Sequence, residues 1–421
     1  MTDSTVTQST ATQYRISEAA MHLGVSTDTI RRWDKMGLIK ATRDTNNHRV
    51  FNILELIRVQ QKASGLHSEN NYRVLHSAKQ YSATCIDLFA GAGGTALGFH
   101  NAGIKHVLLA EINRDAASTL QTNSDNMKLG WNVWECDVAR IDYSGMQADI
   151  IQAGFPCQAF SYAGKSLGFE DTRGTLFFEF ARAVNEVRPM IAIGENVRGL
   201  LTHDGGRTLK TMLDVLESIG YSVAFKVLRA QYLDVPQKRE RLILFAIRKD
   251  LDYPAVFPVE KDYFISLREA LEGCPVSEGQ KYTDRKYDIM RQIPEGGYWR
   301  DLPDDLQREY MGASYFHTGG RTGMARRLSW DQPSLTLTCN PAQKQTERCH
   351  PSETRPLSIR EYARIQTFPD EWQFHGSTAS QYKQIGNAVP VNLGYHIGRC
   401  VLAALGHIGI ANDMEVVEFD R

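Results

Sequence analysis

Short apolar runs alternate with amphipathic segments along most of this chain, in the pattern of strands that are each followed by a helix. The β-branched run at 83–89 precedes a helical run at 95–101, and strand-like runs at 190–194 and 242–247 flank a helical pattern at 208–219. Repeated strand–helix units predict a mostly parallel sheet with helices on both faces. We therefore predict an α/β fold.

The N-terminal region has a different pattern, in which two short helical segments meet at a glycine. The first runs to Leu23, and Ser26 caps the second, which we predict over 27–36. Two short runs around the turn signal at 44–47 indicate a β-wing. We predict a winged helix-turn-helix domain at 14–65, between a disordered tail at 1–13 and a polar linker at 66–82.

Composition narrows the classes of protein that fit this pattern. The chain has 421 residues, of which 42% are hydrophobic, enough for two or three domains. No apolar run approaches the ~20 residues of a membrane span, and the Ser/Thr-rich start lacks the features of a signal peptide. Seven cysteines without framework spacing suit a reducing compartment. We expect a soluble, cytoplasmic protein with no membrane partner.

Charge is balanced over the whole chain but not over its N-terminal domain. The net charge is −1, whereas residues 14–65 hold six Arg and three Lys against five acidic residues. Such a local excess indicates contact with nucleic acid. A helical appendage with a solvated basic face is the alternative interpretation.

Motifs in this domain point to a known class of DNA-binding protein. The segments Tyr14-Arg-Ile-Ser17, Thr29-Ile-Arg-Arg-Trp-Asp34 and His48-Arg-Val-Phe51 resemble the winged helix-turn-helix of MerR-type regulators. The long helix through which such regulators dimerise does not follow here. The resemblance places DNA contacts on the second helix and the wing, at Arg31, Arg32, Arg43 and Arg49.

A glycine-rich loop and two acids follow the first three predicted strands of the α/β region. Ala90-Gly-Ala-Gly-Gly94 comes after the first strand, Glu111 after the second and Asp137 after the third. An acid after the second strand is where ribose hydroxyls bind in nucleotide-binding sheets. Together these features indicate a cofactor with an adenosyl group. A simple turn and two surface charges are the alternative.

A cysteine lies behind a proline at the end of a further strand. Gly154-Phe-Pro-Cys-Gln-Ala-Phe-Ser161 follows the apolar run at 149–153. A thiolate near a helix N-terminus reacts as a nucleophile, but a free cysteine can equally be a small buried hydrophobe. Cys157 is therefore a candidate only in combination with the residues around it.

Six motifs occur in a consistent order, and with them the chain resembles the DNA cytosine carbon-5 methyltransferases. They are the segments 89–94, 154–158, 195–197, 237–241, 355–369 and 384–390. The resemblance implies a catalytic domain at 83–254 and 351–421, which would contain the Rossmann-like sheet of S-adenosylmethionine-dependent methyltransferases. The segment 255–350, where the strand–helix alternation stops, would be a smaller target-recognition domain.

The resemblance implies catalytic roles for four residues. Cys157 would add to carbon 6 of cytosine, which makes carbon 5 nucleophilic. Glu195 would protonate ring nitrogen 3, and we expect its carboxyl group to be buried. Arg241 would hold the cytosine carbonyl oxygen. Arg239 would order the Cys157 loop or the phosphate of the cytosine nucleotide.

The implied cofactor is S-adenosyl-L-methionine. Its adenine would contact Phe89 and Asp137, its ribose Glu111 and its methionine moiety the 91–94 loop. Several relatives have an aromatic residue where this chain has Ile112, so adenine stacking there should be weaker. The implied cofactor-binding set is Phe89, Gly91, Gly93, Gly94, Glu111, Ile112, Asp137, Val138, Pro156, Asn387 and Val389.

The target base of such an enzyme lies inside a duplex and must be flipped into the site. Residues 156–175 have the Gly and Ser content of a loop suited to close over it. No metal is expected, because Cys339, Cys349 and His350 match no zinc-ligand spacing. The implied DNA contacts are Ser161, Lys165, Arg173, Gln237, Arg326, Arg327 and Thr336.

We therefore expect an enzyme that methylates carbon 5 of cytosine in a specific double-stranded DNA sequence, as the modification half of a bacterial restriction–modification system. We expect it to act as a monomer in the cytoplasm, in association with the nucleoid. The N-terminal domain would bind DNA, either upstream of its own gene as a repressor or without sequence preference. Two other functions stay open: an RNA cytosine methyltransferase, and a transcriptional regulator with an inert methyltransferase domain.

Overall fold

The computed structural model describes most of the chain, and the chain divides into two compact units. The small unit comprises Met1–Asn71 with Lys261–Phe264, and the large unit comprises Tyr72–Glu260 and Ile265–Arg421. None of the helices in the described part of the chain is long and apolar enough to cross a membrane. The described residues are 13–23, 25–35, 38–44, 47–52, 55–56, 59, 70–156, 176–316 and 321–419.

The described residues of the small unit include two helices and an antiparallel sheet with the strand order β1-β3-β2. Ser26 caps the second helix by accepting the Thr29 N–H at 3.1 Å, and Ile30 and Trp33 of that helix are buried in the core of the unit. The elements are β1 (Gln13–Arg15), α1 (Ile16–Leu23), α2 (Thr27–Lys35), β2 (Thr42–Arg43) and β3 (Arg49–Asn52). The predicted helices and wing are present.

One strand of the small unit departs from the sequence-based expectation. β1 includes Gln13, the last residue of the predicted disordered tail. The strand exists because it pairs with β3, where Tyr14 lies opposite Phe51. Pairing between residues so far apart in the chain leaves no signal in the local pattern, whereas the rest of the predicted tail lies outside the described residues.

The large unit is built from strands and helices that alternate along its first part. Its strands are β4 (Thr84–Leu88), β5 (Lys105–Glu111), β6 (Val133–Glu135), β7 (Ile150–Ala153), β8 (Ile191–Val197), β9 (Tyr221–Arg229), β10 (Gln237–Lys238), β11 (Glu240–Arg248), β12 (Ala255–Pro258), β13 (Ser334–Leu335) and β14 (Met414–Val417). Its helices are α3 (Gly94–Ala102), α4 (Arg114–Met127), α5 (Leu176–Val187), α6 (Arg207–Ser218), α7 (Leu267–Leu271), α8 (Asp284–Met290), α9 (Asp304–Met311), α10 (Ile359–Ile365), α11 (Thr378–Asn387) and α12 (Val391–Ala404).

Seven strands of the large unit form one twisted sheet in the order β6-β5-β4-β7-β8-β11-β9. The neighbours from β6 to β8 are parallel, as predicted. β11 is antiparallel to both β8 and β9. The connection from β9 to β11 is short, and a short connection cannot return the chain for a parallel strand. The sheet is therefore mostly parallel with one reversed strand.

Helices cover both faces of this sheet, as the alternating pattern predicts. On one face, α3 and α12 pack with the strands around Phe99, Ile397 and Val401. On the other, α5 and α6 contribute Phe180 and Leu216 to a second core. Burial on both faces explains why the central strands are almost continuously apolar.

The predicted target-recognition segment divides between two cores. Residues from Ile289 to Cys349 enclose a separate small core around Trp299 and Met311. By contrast, β12 pairs with β14 near the end of the chain, and α7 packs into a core with Trp372 and Tyr362. The separate core therefore begins later in the chain than residue 255.

Residues 72–82, which we call the strap, are not the free linker that the polar sequence predicts. The Tyr72 hydroxyl donates to the carbonyl of Arg364 at 2.9 Å, and Tyr81 N–H donates to the carbonyl of Gly103 at 2.8 Å. Between them, the Asn101 amide donates to the carbonyl of Leu75 at 2.9 Å. Two of these bonds use backbone groups of the strap and one uses the Tyr72 hydroxyl, so the polarity of the segment does not reveal its partners. The rest of the predicted linker, up to residue 69, lies outside the described residues.

A buried histidine lies under helix α3 without a hydrogen-bond partner in the described structure. Neither ring nitrogen of His106 is bonded, and the ring packs 5.6 Å from that of Trp131. Burial, assisted by the nearby His100, lowers the pKa of His106 from 6.5 to about 3. The folded protein therefore holds this histidine neutral, whereas the unfolded chain protonates it below pH 6.5.

We predict that the large unit loses stability in acid because of His106. The unfolded state binds the extra proton, so the contribution of this residue is complete above pH 6.5 and declines as the pH falls towards 3. Between pH 7.5 and pH 5 the loss should be about 2 kcal/mol. Urea denaturation at the two pH values should show His106→Phe to be less acid-sensitive than the wild type. His76→Gln, a change at an exposed site, is the control, and equal acid sensitivity of His106→Phe and the wild type would contradict the prediction.

Candidate active site

The predicted functional residues of the large unit meet at the edge of the sheet where its parallel strands end. The register places Leu88 of β4 beside both Ala110 and Ala153, and Ala153 beside Gly194 of β8. The residues that directly follow these positions are the candidates found by sequence analysis. Carboxyl ends of parallel strands are where α/β sheets bind ligands, so the structure brings these candidates together.

Glu111, at the end of β5, organises the loops around it. One carboxylate oxygen accepts the Gly91 N–H at 2.8 Å, and the other accepts the Asn113 N–H at 2.7 Å. A carboxylate has about four lone-pair sites, so each oxygen retains capacity for a further donor. Glu111 therefore joins the glycine loop to its own strand and still has room to accept ligand hydroxyls.

The glycines of the 90–94 loop are required by its geometry. Gly91 and Gly93 have positive φ angles of 56° and 86°, a conformation that side chains disfavour. Gly93 caps α3, and a Cβ on Gly94 would collide with the backbone carbonyl of Val389. The loop therefore lies tightly against the segment that enters α12.

The other predicted cofactor residues surround this loop. Ile112 is 67% exposed, which leaves an apolar face open beside Glu111. Asp137 accepts the Ala139 N–H at 3.0 Å and holds the turn that buries Val138. Phe89 is half-buried with a positive φ of 59°.

Two C-terminal residues complete that set. Asn387, at the end of α11, is exposed, and its side-chain oxygen accepts the Cys339 thiol at 3.0 Å. Val389 is buried against the glycine loop. Both were predicted to close the pocket, and both lie in the segment that the glycine loop contacts.

An acid and an arginine face each other on β8 and β11. Arg241 Nε lies 2.6 Å from Glu195 Oε1, and each side chain is 13% exposed. The contact is an ion pair by distance but lacks the direction of a hydrogen bond. In the antiparallel register Glu195 is opposite Ile243 and Arg241 is opposite Val197, so the two residues are diagonal neighbours on one face. Glu195 is mostly buried, as expected.

The segment that leads to Cys157 lies beside Glu195 and is bonded to the adjacent Asn196. The Asn196 side chain donates to the carbonyl of Phe155 at 3.0 Å, and the Phe155 ring stacks 5.6 Å from that of Phe180. A Cβ built on Gly154 would lie 3.4 Å from Glu195 Oε2. Pro156, exposed at this edge, is the last described residue before Cys157. Cys157, Ser161, Lys165 and Arg173 themselves lie outside the described residues.

Arg239 is buried behind the ion pair. Its guanidinium donates to the carbonyls of Gly386 at 3.2 Å and Asn387 at 3.3 Å. Burial and the neighbouring charge of Arg241 lower the pKa of Arg239 to about 9. In this structure it therefore joins β11 to the end of α11, and its predicted role at the Cys157 loop stays a prediction.

A basic cavity of about 250 Å³ opens beside the acid–arginine pair. Within it Arg198 is ion-paired with Glu240 at 2.8 Å, and the Thr336 hydroxyl donates to the carbonyl of Lys238 at 2.6 Å. Thr336, Arg239 and Arg241 were predicted as site residues. Arg198, Lys238 and Glu240 were not, although Arg198 directly follows the 195–197 motif and the other two lie within the 237–241 motif. The lining residues are Arg198, Arg229, Gln231, Lys238, Arg239, Glu240, Arg241 and Thr336.

Comparison with known proteins identifies this arrangement. The C-5 cytosine-specific DNA methylase family matches residues 83–402, which include the glycine loop, Cys157, Glu195, Arg241 and Val389. The chain belongs to this family. It is therefore a DNA cytosine-5 methyltransferase, with the mixed α/β fold of that class.

Relatives of this methyltransferase cover nearly its whole length. The Type II methyltransferase M.Eco47II of Escherichia coli is 52% identical over 411 residues, which are 94% of this chain and 97% of the relative. M.PspPI of Psychrobacter sp. (strain TA137) is 47% identical over 91% of this chain and 94% of its own. These Type II relatives associate the chain with restriction–modification systems.

Two further matches concern the fold of each unit. A crystal structure described as a prophage-encoded DNA modification methyltransferase of E. coli aligns with a TM-score of 0.56 and 22% identity, over 77% of this chain and 100% of the other. In the small unit, the MerR regulatory protein family matches residues 15–51. The latter match supports a DNA-binding helix-turn-helix in this methyltransferase.

Two of the residues predicted to contact DNA, Arg327 and Gln237, are buried inside the large unit. Arg327 is buried and donates to the carbonyls of Ile293, Met290 and His350 at 2.7–3.0 Å. Gln237 is also buried, where its amide binds the Gln366 side chain at 2.8 Å. Both side chains are buried and bonded within the large unit, so neither is presented to a duplex in this structure, and their DNA contacts stay predictions. A motif and a cationic stretch show where such residues lie in the chain but not which way they face.

The other predicted DNA contacts that lie within the described residues are accessible to different degrees. Arg326 is half-buried over the Tyr298 ring, and burial lowers its pKa. In the small unit, Arg31 pairs with Asp28 at 2.7 Å and Arg49 with Asp34 at 2.6 Å. The four arginines predicted there, Arg31, Arg32, Arg43 and Arg49, are all exposed.

We predict that Gly94→Ala destabilises the large unit by about 1–3 kcal/mol, the usual cost of overpacking a tight contact. The new methyl group would meet the Val389 carbonyl, a backbone atom that cannot rotate away. Urea denaturation followed by circular dichroism measures the change. Gly409→Ala is the matched control, because the site around Gly409 is open. Wild-type stability of Gly94→Ala would contradict the packing described here.

Proposed function

We propose that this methyltransferase transfers a methyl group from S-adenosyl-L-methionine to carbon 5 of a cytosine in a specific duplex sequence, by covalent catalysis through Cys157. The observation that carries the proposal is the pairing of Glu195 with Arg241 beside Gly154, where Arg241 also lines a basic cavity. An acid, an arginine and the approach to a thiol are thereby grouped within one site.

The residues around the glycine loop fit the adenosyl cofactor. Glu111 would accept the ribose hydroxyls with its remaining lone pairs, because each of its oxygens uses only one backbone donor. Ile112 offers an exposed apolar face for the adenine, and Asp137 lies at the end of the neighbouring strand. When bound, the cofactor supplies an electrophilic methyl group.

The proposed roles of the protein residues follow from the chemistry of cytosine. Attack of the Cys157 thiolate on carbon 6 forms a sulfur–carbon bond and moves a ring electron pair towards nitrogen 3. Glu195 delivers a proton there, and Arg241 holds the carbonyl oxygen, so carbon 5 becomes the nucleophile. After methyl transfer, the carbon 5 proton is lost to solvent and the sulfur–carbon 6 bond breaks, which releases the Cys157 thiolate. Nitrogen 3 returns its proton to Glu195, and the aromatic ring is restored.

A cytosine within a duplex reaches this site only if it is flipped out of the stack. The basic cavity gives the flipped nucleotide an electropositive site, and Thr336 and Arg241 line it. We assign Ser161, Lys165 and Arg173 to the segment that would close over the base. All the proposed catalytic residues lie within the segment that the methylase family matches, and we propose that the enzyme acts as a monomer on nucleoid DNA.

We further propose that methylation protects host DNA from a cognate restriction enzyme, because the similar proteins are Type II methyltransferases. The small unit would bind a DNA site upstream of its own gene and repress transcription. This second role is supported by the MerR match and by four exposed arginines on α2 and the wing. An enzyme that limits its own synthesis in this way would keep modification in step with need.

We predict that Cys157→Ala abolishes methylation but binds S-adenosyl-L-methionine as tightly as the wild type, because the thiol contacts only the base. Bisulfite sequencing of DNA from an expressing host should show methylated cytosine at one sequence for the wild type and none for the variant. Calorimetry tests cofactor binding, and Cys274→Ala is the control at a cysteine outside the site. Methylation by Cys157→Ala would exclude covalent catalysis, whereas labelling of RNA alone by the wild type would favour the RNA alternative.

We predict that the full-length protein protects one discrete segment upstream of its gene in a footprinting experiment. The double variant Arg31→Glu/Arg32→Glu should lose this protection, because it reverses charge on the exposed side of α2. Cys157→Ala should retain it, which separates repression from catalysis. Uniform weak protection by the wild type, or a footprint unchanged by the double variant, would leave only non-specific DNA affinity.

A further inference from the structure

The strap lies between the two regions of the chain to which a family is assigned. The MerR match covers 15–51 and the methylase match covers 83–402, so neither includes residues 72–82. The strap nevertheless packs along the large unit, where Val74 and Tyr81 join two of its cores. This segment therefore has a structural role that neither family match explains.

One buried side chain joins the strap to another segment. Asn392, near the beginning of α12, has no exposed surface. Its Oδ1 accepts the Leu75 N–H at 2.9 Å, and its Nδ2 donates to the carbonyl of Arg73 at 2.9 Å. The same Nδ2 donates to the carbonyl of Asp234 at 2.8 Å. The Asn392 amide thus accepts one hydrogen bond from the strap and donates one to it, as a peptide group in a paired strand would. Its second N–H donates to the carbonyl of Asp234.

Asp234 is held on two sides by the same helix. Its carboxylate lies 2.8 Å from His396 Nε2, and both groups are buried. Asn392 and His396 are one helical turn apart and share a face of α12. Asp234 has a positive φ of 57°, which is unfavourable for a residue with a side chain. The contacts with Asn392 and His396 help to hold Asp234 in this conformation.

Asp234 belongs to the short segment that delivers the proposed catalytic arginines. The Gln237 N–H donates to the carbonyl of Val235 at 2.7 Å, and the Ala230 N–H donates to the carbonyl of Arg239 at 2.8 Å. The segment is closed on itself by these bonds and continues directly into β11 and Arg241. A shift of Asp234 would therefore be transmitted to Arg239 and Arg241.

We propose that residues 73–75 are a positioning element of the active site, which acts through Asn392 and Asp234 on the segment that presents Arg239 and Arg241. The strap would hold the arginines in place without contacting DNA or cofactor. This inference rests on the roles proposed above for the two arginines. It also implies that the functional methyltransferase extends upstream of residue 83, where the family match begins.

The test compares two full-length variants at one position. Leu75→Pro removes the N–H that Asn392 accepts, whereas Leu75→Ala keeps it and removes only side-chain atoms. Leu75→Pro should lower kcat roughly tenfold, the scale expected from a small misplacement of catalytic groups. Measured below the thermal midpoint of every variant, its dissociation constant for S-adenosyl-L-methionine should stay at the wild-type value, and Leu75→Ala should keep wild-type kcat.

A second series shows whether the strap acts through Asn392. Asn392→Leu removes all three bonds with a side chain of similar shape, and adding Leu75→Pro to it should cause no further loss of kcat. Coupled residues give such non-additive effects, whereas independent ones multiply. Wild-type kcat for Leu75→Pro would overturn the proposal. So would losses of kcat that multiply in the double variant and parallel the fall in thermal midpoint from one variant to the next.

Arg241→Ala separates this inference from the function on which it rests. If Arg241→Ala is inactive and Leu75→Pro is fully active, only the positioning role of the strap fails. If Arg241→Ala retains wild-type kcat, the proposed role of the arginine fails, and the strap proposal fails with it.

Discussion

The close packing of α12 on α3 is the constraint on which the rest of the large unit depends. A Cβ on Gly94 would collide with the Val389 carbonyl, and one on Gly98 would collide with the carbonyl of Val391. On the partner helix, Gly394 lies against the backbone of Thr95. Small residues on both helices allow their backbones to meet. The end of the chain is thereby brought back to the loop that follows the first strand of the sheet.

Several features of the site follow from that contact. It places Gly386 and Asn387 where their carbonyls accept from the buried Arg239. It also places Asn392, in the first turn of α12, where its side chain binds Asp234 and the strap. The cofactor loop, the arginine segment and the strap therefore share one helix N-terminus as their support. Any change that separates the two helices would disturb all three.

Sequence analysis predicts the parts of this structure that local motifs encode. The glycine loop, Glu111, Glu195 and Arg241 lie at the predicted strand ends, because the alternation of strands and helices determines which residues reach that edge. The strap and β1 were not predicted, since each depends on hydrogen bonds between distant residues. The reversal of β11 was not predicted either, although it follows from the short connection between β9 and β11. Arg327 shows the same limit, because its charge suggests a surface role and only the fold reveals its buried carbonyl partners.

The reversal of β11 has a consequence for how this enzyme tolerates change. Because β11 runs against its neighbours, the active edge meets the beginning of β11 and the ends of the parallel strands. Arg241 therefore lies at the beginning of β11, whereas Glu195 lies near the end of β8. Insertions after Arg248 would emerge at the opposite edge of the sheet, far from the ion pair. Insertions between Arg229 and Gln237 would shift the arginine itself, so evolution can lengthen one connection of β11 but must conserve the length of the other.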